Sequence, residues 1–175
     1  MLELILPKDY QPAIDVLETE IAIKKIKDYF QVALSKNLGL TRVSAPLFVD
    51  PDSGLNDNLN GVERTVSFTV KDMDEKRVEI VQSLAKWKRM ALGKYGIPVG
   101  RGLYTDMNAI RRDEDLDNLH SIYVDQWDWE KAIHASDRTM EYLKKTVDAI
   151  YEAIKGLSAY VSEQYPHIYT ELPEE

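Results

Sequence analysis

Met140, Leu143, Val147, Ile150, Ile154, Leu157 and Val161 recur at spacings of 3, 4, 3, 4, 3 and 4. A stripe of this kind lies on one face of a helix and must be buried, against a sheet or against another chain. Ser136 or Asp137 is the expected cap, and the helix should run to about Ser162. The tail Glu163–Glu175, polar and with two prolines, reads as a frayed end. Near the other terminus, Pro12–Lys36 predicts a second long helix. Its apolar face is Ile23, Ile26, Phe30 and Leu34, and Asn37-Leu38-Gly39 is its stop.

Between these helices the pattern shortens. Leu40–Val49 reads as a strand that Pro46 demotes to an edge or interrupts. Thr65–Val70 and Val78–Val81 read as strands joined by the charged hairpin turn Lys71–Arg77, and Leu103–Ile110 as another. Ser83 is a good N-cap for a third helix, Leu84–Tyr95. The turn Gly96–Gly102 lacks the pattern of a phosphate-binding P-loop. Arg111-Arg-Asp-Glu-Asp115 has the composition of a solvated loop.

Three stretches carry more polar chemistry than folding requires. In Leu119–Glu130, a strand by its β-branched and aromatic content, alternation puts Ile122, Val124, Gln126 and Asp128 on one face. An amide and a carboxylate thus follow two aliphatic side chains. Either the strand end emerges into water, or each group has a partner, because burial without one costs about 1–3 kcal/mol. In Leu84–Tyr95, Lys88 falls mid-arc among Leu84, Ala85, Trp87, Ala91, Leu92 and Tyr95. It either snorkels outward or is aimed at a buried anion. The loop Asp50–Gly61 is dense in Asp and Asn, which bond their own backbone in turns. One of these could instead be a chemical carboxylate, but the spacing is not that of a calcium loop.

Composition narrows the classes. Net charge is −8, from 22 Lys+Arg against 30 Asp+Glu. That argues against a general affinity for nucleic acid or anionic membrane and leaves room for a local cationic pocket. There is no cysteine, which rules out disulfides and thiolate nucleophiles and agrees with a reducing, cytoplasmic setting. The opening Met1–Pro7 has no basic segment of the kind a signal peptide carries. No apolar run approaches the ~18 residues of a membrane span. The histidines, 120, 134 and 167, are scattered, and no metal cluster is visible.

Several of these stretches join in one resemblance. Gly39-Leu-Thr-Arg-Val-Ser-Ala-Pro46-Leu-Phe, after a long helix, resembles motif 1 of the class II aminoacyl-tRNA synthetases, and Ile110-Arg111-Arg112-Asp113 resembles their motif 2. More closely, four runs resemble the bacterial ammonia-dependent asparagine synthetases, or aspartate–ammonia ligases. They are Asn56-Asp57-Asn58-Leu-Asn-Gly61, Ser83-Leu-Ala-Lys-Trp-Lys88-Arg, Gly102-Leu-Tyr-Thr-Asp-Met107 and His120-Ser-Ile-Tyr-Val-Asp-Gln-Trp-Asp-Trp-Glu130. The resemblance runs from about Leu6 to Pro166. It implies an α+β fold, a largely antiparallel sheet flanked by helices, with residues 1–175 forming the N-terminal portion of a class II synthetase-like catalytic domain. The family's glycine-rich motif 3 and its magnesium-holding acidic residues belong to a second half that does not appear in these 175 residues.

What the resemblance implies chemically is ATP-dependent amidation of L-aspartate by ammonia, through β-aspartyl-AMP, with magnesium accompanying ATP. Arg111 would contact the α-phosphate. Ser83, Lys88, Ser121, Gln126 and Asp128 would line the aspartate pocket, with Lys88 meeting a substrate carboxylate and Asp128 the α-ammonium. Asp57 would take a proton from the attacking ammonium. Arg111, Asp57 and Gln126 are the expected catalytic groups. Ser121 and Gln126 have opposite parity and can share a pocket only across a bulge or a strand end. Motif 1 implies a homodimer through Pro12–Lys36 and Leu40–Val49. The competing class is a non-catalytic fragment that binds aspartate, asparagine or a partner chain. A tRNA ligase is disfavoured by the acidic charge and the lack of an anticodon-binding module.

Overall fold

The computed structural model describes residues 5–168 and 172–173. Two compact units divide the described residues, one of Thr41–Ala132 with Ile5 and Leu6, the other of Pro7–Leu40 with the described residues from Ile133 on.

The helical unit consists of α1 (Val16–Leu38) and α3 (Met140–Gln164). α1 starts later than its apolar pattern suggests because Asp15 caps it, accepting from Glu18 N at 2.8 Å. It stops at Gly39, whose left-handed conformation (φ 69°) returns an N–H to Ser35 O. Thr139, not Ser136 or Asp137, caps α3, accepting from Tyr142 N at 3.2 Å. The two earlier candidates lie in a separate 3₁₀ turn, Ala135–Asp137. The helices meet through buried Ala22 and Ala153 and a Tyr29–Tyr160 stack at 4.9 Å. Gly156 lets the helices approach at this crossing: a Cβ there would sit 2.7 Å from Tyr29 Oη, which would have to shift. Tyr165, buried just past α3, donates from its hydroxyl to Glu18 at 2.6 Å.

The α3 stripe is only partly covered. Ile154, Leu157 and Val161 line an apolar groove with Ala22, Ile26 and Tyr165. Met140, Leu143 and Val147 remain 52–68% exposed, contrary to the burial expected of the whole stripe. The tail is helical through Gln164 rather than frayed from Glu163, and residues 169–171 and 174–175 lie outside the described residues, as do Met1–Leu4 of the opening segment.

The other unit holds two three-stranded sheets and one helix. The strand expected over Leu40–Val49 is two strands, β1 (Leu40–Arg42) and β2 (Phe48–Val49), in different sheets. Pro46, which has no N–H for a ladder, lies in the crossing between them. β2 pairs with β4 (Lys76–Ile80), which pairs with β3 (Ser67–Val70). The hairpin tip carries Asp74 and Glu75 at positive φ.

The larger sheet places β5 (Gly102–Ile110) between β1 and β6 (Tyr123–Lys131). β5 and β6 pair without a bulge, from Gly102↔Lys131 to Ile110↔Tyr123. One face of the pair is therefore Leu103, Thr105, Met107 and Ala109 with Val124, Gln126, Asp128 and Glu130. α2 (Ala85–Lys94) covers it through Leu84, Trp87 and Ala91, and together they form the core. No helix among the described residues is long and apolar enough to cross a membrane.

Candidate functional site

Lys88 decides the character of this core. It is only 2% exposed, deep beneath α2, although its neighbours on the arc are apolar. Its ammonium bonds the Asp128 carboxylate and donates to Trp129 O at 3.1 Å, with Glu130 Oε2 at 4.0 Å. The lysine is thus aimed at an anion rather than snorkelling, and Asp128 is that anion. Asp128 sits opposite Thr105, itself buried, on the face that α2 covers. The polar end of β6 is not simply wet.

Gln126 follows on the same face, two residues and about 7 Å from Asp128, and its amide reaches Met107 Sδ at 3.7 Å, a weak acceptor. Ser83 is not the N-cap of α2. The helix opens one residue later, from Leu84, and Ser83 Oγ accepts from Ala85 N at 3.2 Å. Ser121 precedes β6, is exposed, and accepts from Tyr123 N at 3.3 Å. With no bulge in the ladder, only the strand end is left to bring it to the face of Gln126.

The Asp50–Gly61 loop is fastened by residues whose importance the sequence did not reveal. Asx turns form as expected at Asp50 and Asn60. Asn56 does more. It is buried, its Oδ1 accepts from both Asp57 N (3.1 Å) and Gln82 N (2.8 Å), and its amide donates to Ile80 O (3.2 Å) and Glu79 (3.3 Å). One side chain therefore ties Asp57 to the segment that leads into α2. Asp57 is half-buried, with Lys86 Nζ 3.8 Å from its Oδ1.

Beside this segment lies a cavity of about 380 Å³ lined by Leu59, Glu63, Arg64, Gln82 and Arg111–Glu114. Its floor is the start of the Arg111–Asp115 run, an exposed loop as its composition suggests, fastened at several points. Arg111 N donates to Ile122 O at 2.7 Å, extending the β5–β6 ladder. Arg112 donates to Thr65 O at 3.1 Å. Asp113 accepts from both the main-chain N–H (2.7 Å) and the guanidinium of Arg64, and these hydrogen bonds, the guanidinium's first, hold its carboxyl down to about 2. Arg64 is engaged by Asp113, and Glu63 and Glu114 share the lining; Arg111 and Arg112 are the guanidiniums that could meet a phosphate in planar, bidentate fashion. No group of three or more His, Asp or Glu among the described residues is placed to hold a metal ion.

The arrangement is thus a buried cation beside a carboxylate on one side of Ser83, and an arginine cavity on the other. Fixed charges of both signs at adjacent points suit a zwitterion, and the arginines suit a phosphate ester. The fold itself is that of the class II aminoacyl-tRNA synthetases. It superposes on Entamoeba histolytica asparaginyl-tRNA synthetase with TM-score 0.55, at 13% identity over 89% of this chain and 32% of that one. A pyrrolysyl-tRNA synthetase from Desulfitobacterium hafniense gives 0.54 at 12% identity, over 77% and 45%.

Within that class, the family model for aspartate–ammonia ligase matches residues 17–175. Aspartate–ammonia ligase of Clostridium perfringens (strain SM101 / Type A) is 59% identical over 175 residues, all of this chain and 52% of that protein. The one from Ruminiclostridium cellulolyticum is 61% identical over the same span, and that of Lactiplantibacillus plantarum 55% over 99% of this chain and 54% of its own. The chain belongs to the aspartate–ammonia ligase family, and it spans about half the length of the curated relatives it matches.

Proposed function

We propose that this chain carries the aspartate-binding half of an enzyme that uses ATP to amidate aspartate with ammonia. The observation behind the reading is the buried Lys88–Asp128 pair. Aspartate offers a carboxylate and an ammonium, so it can exchange this internal pair for two pairs of its own, Lys88 with a substrate carboxylate and Asp128 with the α-ammonium. Ser83 and Gln126 complete the pocket, with Ser121 at the outer end of β6.

The chemistry follows from the poor electrophilicity of a carboxylate. The side-chain carboxylate attacks the α-phosphorus of ATP, pyrophosphate leaves, and β-aspartyl-AMP forms. Ammonia then adds to the β-carbonyl, AMP departs, and asparagine remains. Arg111 holds the α-phosphate as charge builds on it, a contribution of positioning and electrostatics. Asp57 takes a proton from ammonium, because only the neutral amine is a nucleophile. Gln126 orients the reacting carboxylate.

Calorimetric titration with aspartate tests the pocket: Asp128→Asn and Lys88→Met should each weaken binding at least tenfold, and unchanged affinity in both would overturn it. Aspartate-dependent exchange between ATP and pyrophosphate tests turnover. The 175-residue chain should show little, since losing one phosphate ligand already costs ~10²–10³-fold and the motif 3 arginine does not occur in it. Robust exchange would refute that. We also infer a homodimer through α1 and the β1–β2 segment, where Val16, Leu17 and Val32 expose apolar surface. A clean monomer by light scattering at micromolar concentration would refute it.

A further inference from the structure

Asn56 is 8% exposed, and both ends of its carboxamide are occupied. Its amide donates to Ile80 O at 3.2 Å and to Glu79 Oε2 at 3.3 Å, both on β4. Its Oδ1 accepts from Gln82 N at 2.8 Å and from Asp57 N at 3.1 Å. An asparagine that only shapes a turn bonds main chain about two residues on. Here the partners at Ile80 and Gln82 lie 24 and 26 residues away in sequence. Partners on several sides leave a buried carboxamide one orientation, so Oδ1 is a fixed point. The two N–H groups that share it adjoin the chemistry. One belongs to Asp57. The other belongs to Gln82, and the next residue is Ser83, at the head of the segment that runs to Lys88. From α2, Lys86 Nζ donates to Asn56 O at 3.3 Å, a second tie between the same two stretches.

We propose that Asn56 is a positioning residue for the amidation: it touches no reactant, and its Oδ1 holds Ser83 in place at the aspartate pocket and sets the Asp57 loop in register with it. This rests on the reading of Ser83 as a pocket residue and of Asp57 as the base. A hydroxyl adds to affinity only where it meets the ligand at hydrogen-bond distance and direction, so the anchor of its main chain matters as much as the hydroxyl itself. Without Oδ1, the N–H groups of Gln82 and Asp57 lose their acceptor, and the chain at both points relaxes toward other partners. Stability follows the amide and the oxygen alike. Affinity for aspartate follows the oxygen, through Ser83.

The test is calorimetric titration of the 175-residue chain with aspartate. Wild type, Asn56→Ala, Ser83→Ala and the double variant are compared, each at a temperature where circular dichroism shows it folded. Asn56→Ala should weaken aspartate binding roughly fivefold to tenfold. Because Asn56 acts through Ser83, the same substitution on the Ser83→Ala background should cost less than about twofold. A side chain that merely supports the fold would lower Tm and leave both affinities alone, as Gly156→Ala in the helical unit should. If Asn56→Ala does not fold, Asn56→Ser keeps a polar group at the site and takes its place with the same expectations. Folded Asn56 variants that bind aspartate like wild type would overturn the proposal, as would equal losses with and without Ser83. A Ser83→Ala chain that binds aspartate as wild type does would remove Ser83 from the pocket, and a wild-type chain that binds none would remove the pocket itself. In either case the reading beneath fails first, and the role of Asn56 falls with it.

Discussion

Replacing Lys88 by methionine keeps the stem of the side chain and deletes its charge. What remains is the Asp128 carboxylate without its ammonium and Trp129 O without its donor, on a sheet face packed under α2. Removing one member of a buried pair costs about 3–5 kcal/mol. The Asp128 side chain is 21% exposed, so water recovers part of its solvation, and methionine packs well against Leu84 and Ala91. These corrections bring the expected loss to roughly 2–4 kcal/mol. For a chain of this size that lowers Tm by roughly 4–16 °C. Urea unfolding, with linear extrapolation, measures it directly. The companion is Lys88→Met with Asp128→Leu. Removing both charges leaves nothing unpaired, so the double variant should be more stable than Lys88→Met alone and close to wild type. A single variant within 0.5 kcal/mol of wild type, or a double variant no better than the single, would refute the account of this pair. On the ligand side, Lys88→Met should cost roughly 2–5 kcal/mol of aspartate affinity, the range for truncating a buried charged contact.

Two further predictions concern packing and pH. Gly156→Ala gains about 1 kcal/mol of helix propensity, but its methyl meets Tyr29 Oη at 2.7 Å; the ring is held in its stack, so net destabilisation of about 0.5–2 kcal/mol is expected, and Tyr29→Phe on that background should restore stability, with thermal melting as the measure. The Asp113 carboxyl is held below its ordinary 3.8, at about 2, by Arg64. Its stabilising effect is therefore present above pH 4 and lost as pH falls from about 4 through 2. Carboxyl NMR should place the Asp113 midpoint near 2, and Arg64→Met should return it toward the ordinary value; an unmoved midpoint would sever the pair.

Much of this protein can be read from local sequence, because local sequence fixes what depends on near neighbours. The α1 stop at Gly39 follows from glycine's access to left-handed backbone. The shared face of Val124, Gln126 and Asp128 follows from strand alternation, and the mid-arc position of Lys88 from helical periodicity. The sequence runs quoted for the family sufficed to name it. Element starts were less legible: Asp15 and Thr139 cap α1 and α3 because side-chain oxygens compete for the same free N–H groups, and several candidates stood close together. What tertiary structure alone decided is pairing across distance. Lys88 needed an anion, but only packing of α2 on β6 makes that anion Asp128, forty residues away. Asn56 looks like any loop asparagine until burial turns it into the bridge between Asp57 and Gln82. Arg64 and Asp113 become one unit only when two loops meet.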